Sequence, residues 1–581
     1  MFAAGPQTVR FFERVTARPW LVLGISLLAI GVTGFGLTKL VKDTSVKAFI
    51  PAGHESLVAD AKAAEVFGLS DTIAVAVITT DGSSVFRPDV LALVDELSIE
   101  LAGLPNVRYD RIASLATESS ISGNEGSVFV DPYIEPFAMD DDFADDSRER
   151  WERMLPHRGT LVSEDGSGAV IMAELVDSSI ADQTYLAVLE IVEGIALDRV
   201  ELHVAGPGAV SGYLSRYIDE DARKLQPLVF VLVLGFIYLA FRRAVALPGP
   251  LLVVVGSAAG ALGLMAWSGI PYYAITNALP VIIVAISVAD AIHILSAYYQ
   301  RREQYPDAGV RELVVGAMTA MARPISLTTI TTIAGFLGIA VMSIMPPITW
   351  FAIFASLGVL LAWVFSILVL PNVLLLVSPG RSPAFVTWQE GRPSGTGRAL
   401  AWLGTFSPLR YRSVLLVFLL ITVAAAYGAL QLRIDRSQVE NFAPDEPVRI
   451  ADEIINERFA GTAFLDVIIE TDEQEGLLRV ENMRKVRELQ AFFEALPHVR
   501  KTVSIVDYVS QLHGALEELP AADIAARQLP ATDELLAETL FVYEITGDPA
   551  DFEEEIEAEY QHALIRGVLD AHYFSQNRLA V

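Results

Sequence analysis

Seven long apolar runs limit what this chain can fold into more than any other feature. Trp20–Thr38, Pro227–Phe241, Ala244–Ser268, Tyr272–Gln300, Pro324–Met345, Ile348–Val377 and Leu415–Leu432 each approach the ~20 residues that a helix needs to cross ~30 Å of hydrocarbon. Helices suit that environment because their backbone N–H and C=O groups are satisfied internally. A buried core helix could explain one such run, but not seven, several of them adjacent. The first run is too long for a signal peptide and lacks a small-residue cleavage site. Charged residues make up 19% of the 581-residue chain, below the roughly 25% of soluble proteins. Membrane spans and sizeable soluble segments must therefore share the chain.

Charge assigns the loops to sides. Arg10, Arg14 and Arg18 precede the first run, and Arg242 and Arg243 follow the second. Arg301, Arg302, Arg311 and Arg323 follow the fourth, and Arg381, Arg392, Arg398, Arg410 and Arg412 lie between the sixth and seventh. The positive-inside rule places all of these in the cytoplasm. The expected organisation is a cytoplasmic N-terminus (1–19), a first span (20–40), an outer domain (41–225), spans two to six (226–378), a cytoplasmic linker (379–412), a seventh span (413–432) and a second outer domain (433–581).

The net charge of −29 sits in the outer segments: 41–225 holds 14 basic and 34 acidic residues, and 433–581 holds 13 and 31. This balance excludes a general nucleic-acid binder, which needs cations to displace phosphate counterions. The absence of cysteine excludes disulfides, Cys-ligated metals and thiol nucleophiles. No phosphate loop, nucleophile elbow, zinc-protease or dinucleotide fingerprint is present. An enzyme is thus the weakest functional class, no cofactor is expected, and energy for work would come from an ion gradient.

The outer segments repeat. Asp43–Pro51 resembles Asp435–Pro444, Leu104-Pro-Asn-Val-Arg108 matches Leu496-Pro-His-Val-Arg500, and Val176–Val188 matches Leu569–Val581. The offset stays near 392 residues, as a duplication requires. The last residue aligns with Val188, inside a helix-like stretch, so the second repeat reads as incomplete and the chain as C-terminally truncated. Within the first repeat, Thr72–Thr79, Val107–Ile112, Ala169–Val176 and Val200–Val204 read as strands. Pro88–Leu101 and Ala181–Gly194 read as helices, and a Gly206-Pro207 turn follows the last strand. Two such βαβ units predict a ferredoxin-like, split-βαβ domain. The expected fold class is an α-helical polytopic membrane protein with two extracytoplasmic α/β domains.

Three motifs carry a family resemblance: Ala285-Ile-Ser-Val-Ala-Asp-Ala-Ile-His293, Ala322-Arg-Pro-Ile-Ser-Leu-Thr-Thr-Ile-Thr-Thr-Ile-Ala-Gly-Phe336, and Phe351-Ala-Ile-Phe-Ala-Ser-Leu-Gly358. With the span order, they make the chain resemble the RND superfamily of transporters, in particular its MMPL-like, hydrophobe/amphiphile-exporter branch, related to sterol-sensing-domain proteins. The resemblance implies proton-driven export of a lipid-like substrate from a bacterial inner membrane, with periplasmic accessory proteins as further partners. It also implies an acidic relay in the fourth span. The branch commonly has an Asp-Tyr pair there; this chain has Ala289-Asp290, the acid one residue later.

Asp290 is the central candidate. An acid at mid-span costs roughly 2.5–3.5 kcal/mol to insert, and is retained where it faces a bundle interior, a water path or a partner. It lies about 15 Å from the end of its run at Gln300, at 1.5 Å per residue, which disfavours snorkelling to water. Ser287 and His293, three residues to either side, are expected on its face. Thr328, Thr329, Thr331 and Thr332 crowd the fifth span; Thr328, Thr329 and Thr332 are candidate relay hydroxyls, against the plainer reading that each bonds its own backbone. Asn277 is a weaker candidate of the same kind. Pro271, Pro280 and Pro346-Pro347 read as span ends, and Gly256, Gly260 and Gly263 as a close-packing stripe. The acidic run Asp140–Asp142, Asp145, Asp146 lacks the order of a calcium loop and reads as solvated. A lipid or sterol sensor without pumping, and an inactive fragment of a transporter, are the competing functional readings.

Overall fold

The structure is a computed structural model that describes residues 6–45, 47–51, 53–124, 127–135, 139–195, 197–380, 395–432, 439, 442–547 and 552–570. The linker residues 381–394, much of the repeat segment 435–441, and 571–581 lie outside the described residues. The chain divides into two compact units: Met1–Pro51 with Tyr217–Arg433, and Ala52–Arg216 with Ile434–Val581.

The first unit is helical. Seven helices are long and apolar enough to cross a membrane: Pro19–Lys39, Pro207–Phe241, Ala244–Trp267, Ala274–Gln304, Val310–Met342, Pro346–Val377 and Tyr411–Ala429, here called the first to seventh spans. The third, fourth and sixth bury the most of their surface and form the centre. The glycine stripe of the third span explains their closeness. A Cβ on Gly263 would strike the Thr33 carbonyl of the first span, and one on Gly256 would strike Ile30 and Phe365. Small residues here let backbones approach.

Two spans begin earlier than their apolar runs. The second is the apolar end of a helix that starts at Pro207, directly after Gly206 at φ +95°; the expected turn is the helix start, since Pro suits the first helical position. The fifth starts at Val310, so Pro324 is internal. Leu313, Val314, Ala317 and Met318 supply a buried stripe before it, at the spacing of an amphipathic helix. Pro280 likewise falls within the first turn of the helix Ala278–Gln304, where a missing N–H costs little.

The second unit is α/β. Strands β1 (Thr72–Thr79), β2 (Val107–Ala113), β3 (Gly168–Leu175) and β4 (Val200–Ala205) form one sheet in the order β2-β3-β1-β4, with every neighbouring pair antiparallel. Alternation divides β1 between two faces. Ile73, Val75 and Val77 join the core with Val90, Val94 and Leu97 of helix Pro88–Ala102. Ala76 and Ile78 point the other way, onto Ile455 of helix Pro447–Arg458 and Phe459 at its end. The later segment forms a second sheet from β5 (Ala463–Glu470), β6 (Val499–Ser504) and β7 (His562–Leu569), in the order β6-β7-β5 and also antiparallel.

The two long segments, expected as separate domains, share this one unit and its core. Lys501 on β6 donates to the carbonyls of Leu155 (2.7 Å), Pro156 (2.9 Å) and Arg158. Gln511 Nε2 donates to the carbonyls of Ile121 (3.3 Å) and Arg153 (3.2 Å). The acidic run is a helix start rather than a loop: Asp140 caps helix Asp141–Arg153 by accepting from the Phe143 N–H at 2.9 Å. Its neighbours Asp141 and Asp142 suit the positive end of the helix dipole.

Candidate functional site

The fourth span carries the central acid. Asp290 lies in the helix Ala278–Gln304 and is 6% exposed. Among the described residues it has no hydrogen-bond partner. Ser287, one turn earlier, is fully buried. Its hydroxyl donates to the Ile283 carbonyl at 2.6 Å and pairs with the hydroxyl of Ser257 in the third span at 2.9 Å.

The structure separates the remaining candidates. Thr329 of the fifth span is buried, at 5% exposure. Thr328 and Thr331 are exposed within the unit, and Thr332 is half-buried. Each of the four hydroxyls donates to a carbonyl of its own helix: Thr328 and Thr329 to Ile325 (2.8 Å each), Thr331 to Thr328 (2.9 Å) and Thr332 to Thr328 (2.8 Å). None bonds Asp290, so the local backbone-bonding arrangement is the one present. His293 lies on the same helix as Asp290, yet it is exposed. A spacing of three turns a helix by about 300°, leaving neighbouring rather than coincident directions, and here the boundary of the buried face falls between them. Asn277 precedes the helix and accepts from the Tyr272 hydroxyl at 3.2 Å. Thirteen residues, about 20 Å of helix, separate it from Asp290.

Sequence reasoning missed several buried polar residues of the spans, Ser257 and Asn372 among them. Ser257 sits inside the glycine stripe, and its signal was the one hydroxyl among small residues packed against the fourth span. Asn372 of the sixth span is fully buried; its amide donates to the Leu368 carbonyl at 2.7 Å while Oδ1 has no partner among the described residues. A lone Asn in an apolar run was the available signal.

The α/β unit holds a cavity of about 170 Å³ between its four-stranded and three-stranded sheets. Ala74, Ile112, Met172, Phe459, Phe464 and Val568 line its apolar walls. Its polar wall includes His157, Tyr508, Glu555 and Arg566. Arg566 is held by Asp466 at 3.1 Å and Glu554 at 2.8 Å. His157 is 3% exposed, and its Nδ1 meets the Tyr133 hydroxyl at 3.0 Å. Burial, reinforced by the Lys501 charge, pushes its imidazole down to about 3, so it is neutral at pH 7. Burial and the Glu554 charge push the Glu555 carboxyl up. The cavity thus combines hydrocarbon walls with groups suited to hydrogen bonding.

Residues 234–376 match the family model described as Patched SSD, a sterol-sensing domain found in RND-like permeases and sterol-sensing proteins. The matched stretch runs from the second span through most of the sixth and contains Asp290, Ser287, His293 and the threonines. No curated protein matches the chain. The match covers about a quarter of the chain; the seven apolar helices support a multi-pass membrane protein, and the matched stretch is similar to a lipid- or sterol-related transporter or sensor domain.

Proposed function

We propose that the chain is a proton-motive-force-driven exporter of a hydrophobic or amphiphilic lipid-like substrate, with Asp290 as its proton carrier. One observation carries the reading: Asp290 is buried at mid-span without a hydrogen-bond partner among the described residues. The nearby hydroxyls satisfy themselves on carbonyls of their own helices. An ionised carboxylate has no donor and cannot do the same; a protonated one can. The side chain's local satisfaction therefore depends on its proton. Ser287 and Thr329 are the hydroxyls placed on the buried side, with Ser257 joining them from the third span. His293 stands at the exposed edge, where a proton would enter or leave.

In this reading the α/β segments are ferredoxin-like and duplicated. The shared order of β2-β3-β1 and β6-β7-β5 supports both points. They lie on the periplasmic side of a bacterial inner membrane, with the N-terminus cytoplasmic, as the arginine distribution implies. The cavity between the sheets takes the apolar part of the substrate, and the MMPL-like branch is the family setting.

The test is lipid export from proteoliposomes under an imposed proton gradient. Asp290→Asn keeps shape and loses the titratable group. Expected is normal insertion with gradient-dependent export reduced at least 100-fold, about 3 kcal/mol in rate. Wild-type export by the variant would end the relay reading. The sterol-sensing match favours one alternative, a non-pumping lipid or sterol sensor. That reading is preferred if wild-type protein binds lipid but moves none under any gradient.

A further inference from the structure

The N-terminal helix Pro6–Val15 lies against the fifth span and leaves a groove beside it. Phe12 is 1% exposed and belongs to the bundle core. Arg311, in the first turn of the fifth span, donates to the Glu13 carbonyl at 2.7 Å, satisfying an acceptor near the helix end. The helix is thus anchored at its C-terminal end and along one face. Beside that face, Gln7, Thr8 and Phe11 meet Ala322 and Ser326 of the fifth span and Trp363 and Leu368 of the sixth around an open space of about 450 Å³. The walls are nearly all hydrocarbon. The Trp363 indole is already committed, donating to the Ser326 hydroxyl at 3.0 Å, so it adds no free donor.

Arginines neighbour the groove's residues along the same helix. Gln7, Phe11 and Arg14 share a stripe at i, i+4 and i+7, with Arg10 one turn from both Gln7 and Arg14. Arg10, Arg14 and Arg18 are exposed, and no ion pair of theirs occurs among the described residues. Residues 6–19 hold these three arginines and one acid, Glu13, in a chain of net charge −29. An apolar slot with an adjacent basic edge, on a helix beside the end of a membrane span, matches an interfacial amphipathic helix.

We propose that this groove binds one acyl chain of an anionic phospholipid, whose headgroup phosphate is held by Arg10 and Arg14. The inference needs only that the spans cross a bilayer. It does not require Asp290 to carry protons.

The full-length protein, purified in detergent and exposed to equimolar phosphatidylglycerol and phosphatidylcholine, would be assayed for retained lipid by native mass spectrometry. Wild type is expected to retain phosphatidylglycerol preferentially. Arg10→Gln/Arg14→Gln should reduce that preference on the order of tenfold without lowering phosphatidylcholine retention. Ala322→Phe, which fills the slot, should lower retention of both lipids, and millimolar inorganic phosphate should displace neither. Equal retention of the two lipids by wild type, an unchanged preference in the arginine variant, or displacement by phosphate would overturn the proposal. Asp290→Asn, tested alongside, should retain lipid like wild type, which keeps this result separate from any result on export.

Discussion

The two units satisfy buried polar groups in opposite ways. In the helical unit the solutions are mostly local: Ser287 bonds Ile283, Thr329 bonds Ile325, Ser356 bonds Ala352 and Asn372 bonds Leu368, each four residues back. Contacts such as Ser257–Ser287 and Ser326–Trp363 cross between spans. In the α/β unit the solutions are distant. Lys501 reaches carbonyls more than 340 residues away, and Arg566 bonds Asp466 across a sheet. The difference follows from solvent. A hydroxyl in hydrocarbon has no water to fall back on, so the nearest helical carbonyl is its dependable partner. In a water-facing fold, a long cationic side chain can instead join two segments at its tip. Asp290 stands out because, among the described residues, neither solution is in place for it.

After Asp290→Asn, the largest effect expected in the helical unit comes from its backbone contacts. A Cβ at Gly263 meets a backbone carbonyl of the first span, which cannot yield as a flexible side chain would. Gly263→Val should destabilise the bundle by about 3 kcal/mol, measured as loss of folded protein in a detergent thermal melt. Gly235, with nothing near its Cβ position, is the control: Gly235→Val should leave the melt almost unchanged. Equal behaviour of the two variants would mean that the first and third spans do not approach as described.

The α/β unit should instead be broken by pH. Glu174 on β3 is buried, with Arg108 Nη1 at 3.7 Å. Burial, and then the Glu554 charge, push its carboxyl up to about 7 from 4.5. The folded state therefore keeps a proton that the unfolded chain gives up above pH 4.5. Stability falls as pH rises from about 4.5 to 7 and levels off beyond, a total of about 3 kcal/mol at about 1.4 kcal/mol per unit. Glu174→Gln should remove this dependence. Hydrogen exchange at β1 and β3 in the full-length protein would show similar protection for both forms near pH 4.5 and greater protection for the variant at pH 8. Identical exchange at both pH values would place the carboxyl in water.

How much of this was legible in the chain depended on how local the cause was. The strand Thr72–Thr79 coincides with β1, because a β-branched run between turn residues suffices to specify it. Helix Pro88–Ala102 begins at its expected proline. The fifth span began fourteen residues early because its first turns are amphipathic rather than wholly apolar, a pattern that hydropathy runs overlook. The sharing of one core by two distant segments had no local signal: Lys501 looks like any surface lysine until its carbonyl partners are in place. At the candidate site, Asp290 was conspicuous by its charge alone. Which of its neighbours would be buried depended on helix rotation, which spacing constrains only to within one face.

That rotation offers the finest test, within the fifth span itself. Thr329 and Thr332 have the same side chain and the same self-bonding, to Ile325 and Thr328 respectively, both at 2.8 Å. They differ in that Thr329 is buried while Thr332 is only half-buried. Valine replaces the hydroxyl with a methyl of similar size and loses the ability to donate. If the buried side carries the proton, Thr329→Val should slow gradient-dependent export about tenfold, near 1.4 kcal/mol. Thr332→Val should stay within about 0.5 kcal/mol of wild type, or about twofold. The reverse ranking would move the proton path to the exposed edge of the span, alongside His293, and would make the burial of Asp290 a matter of packing.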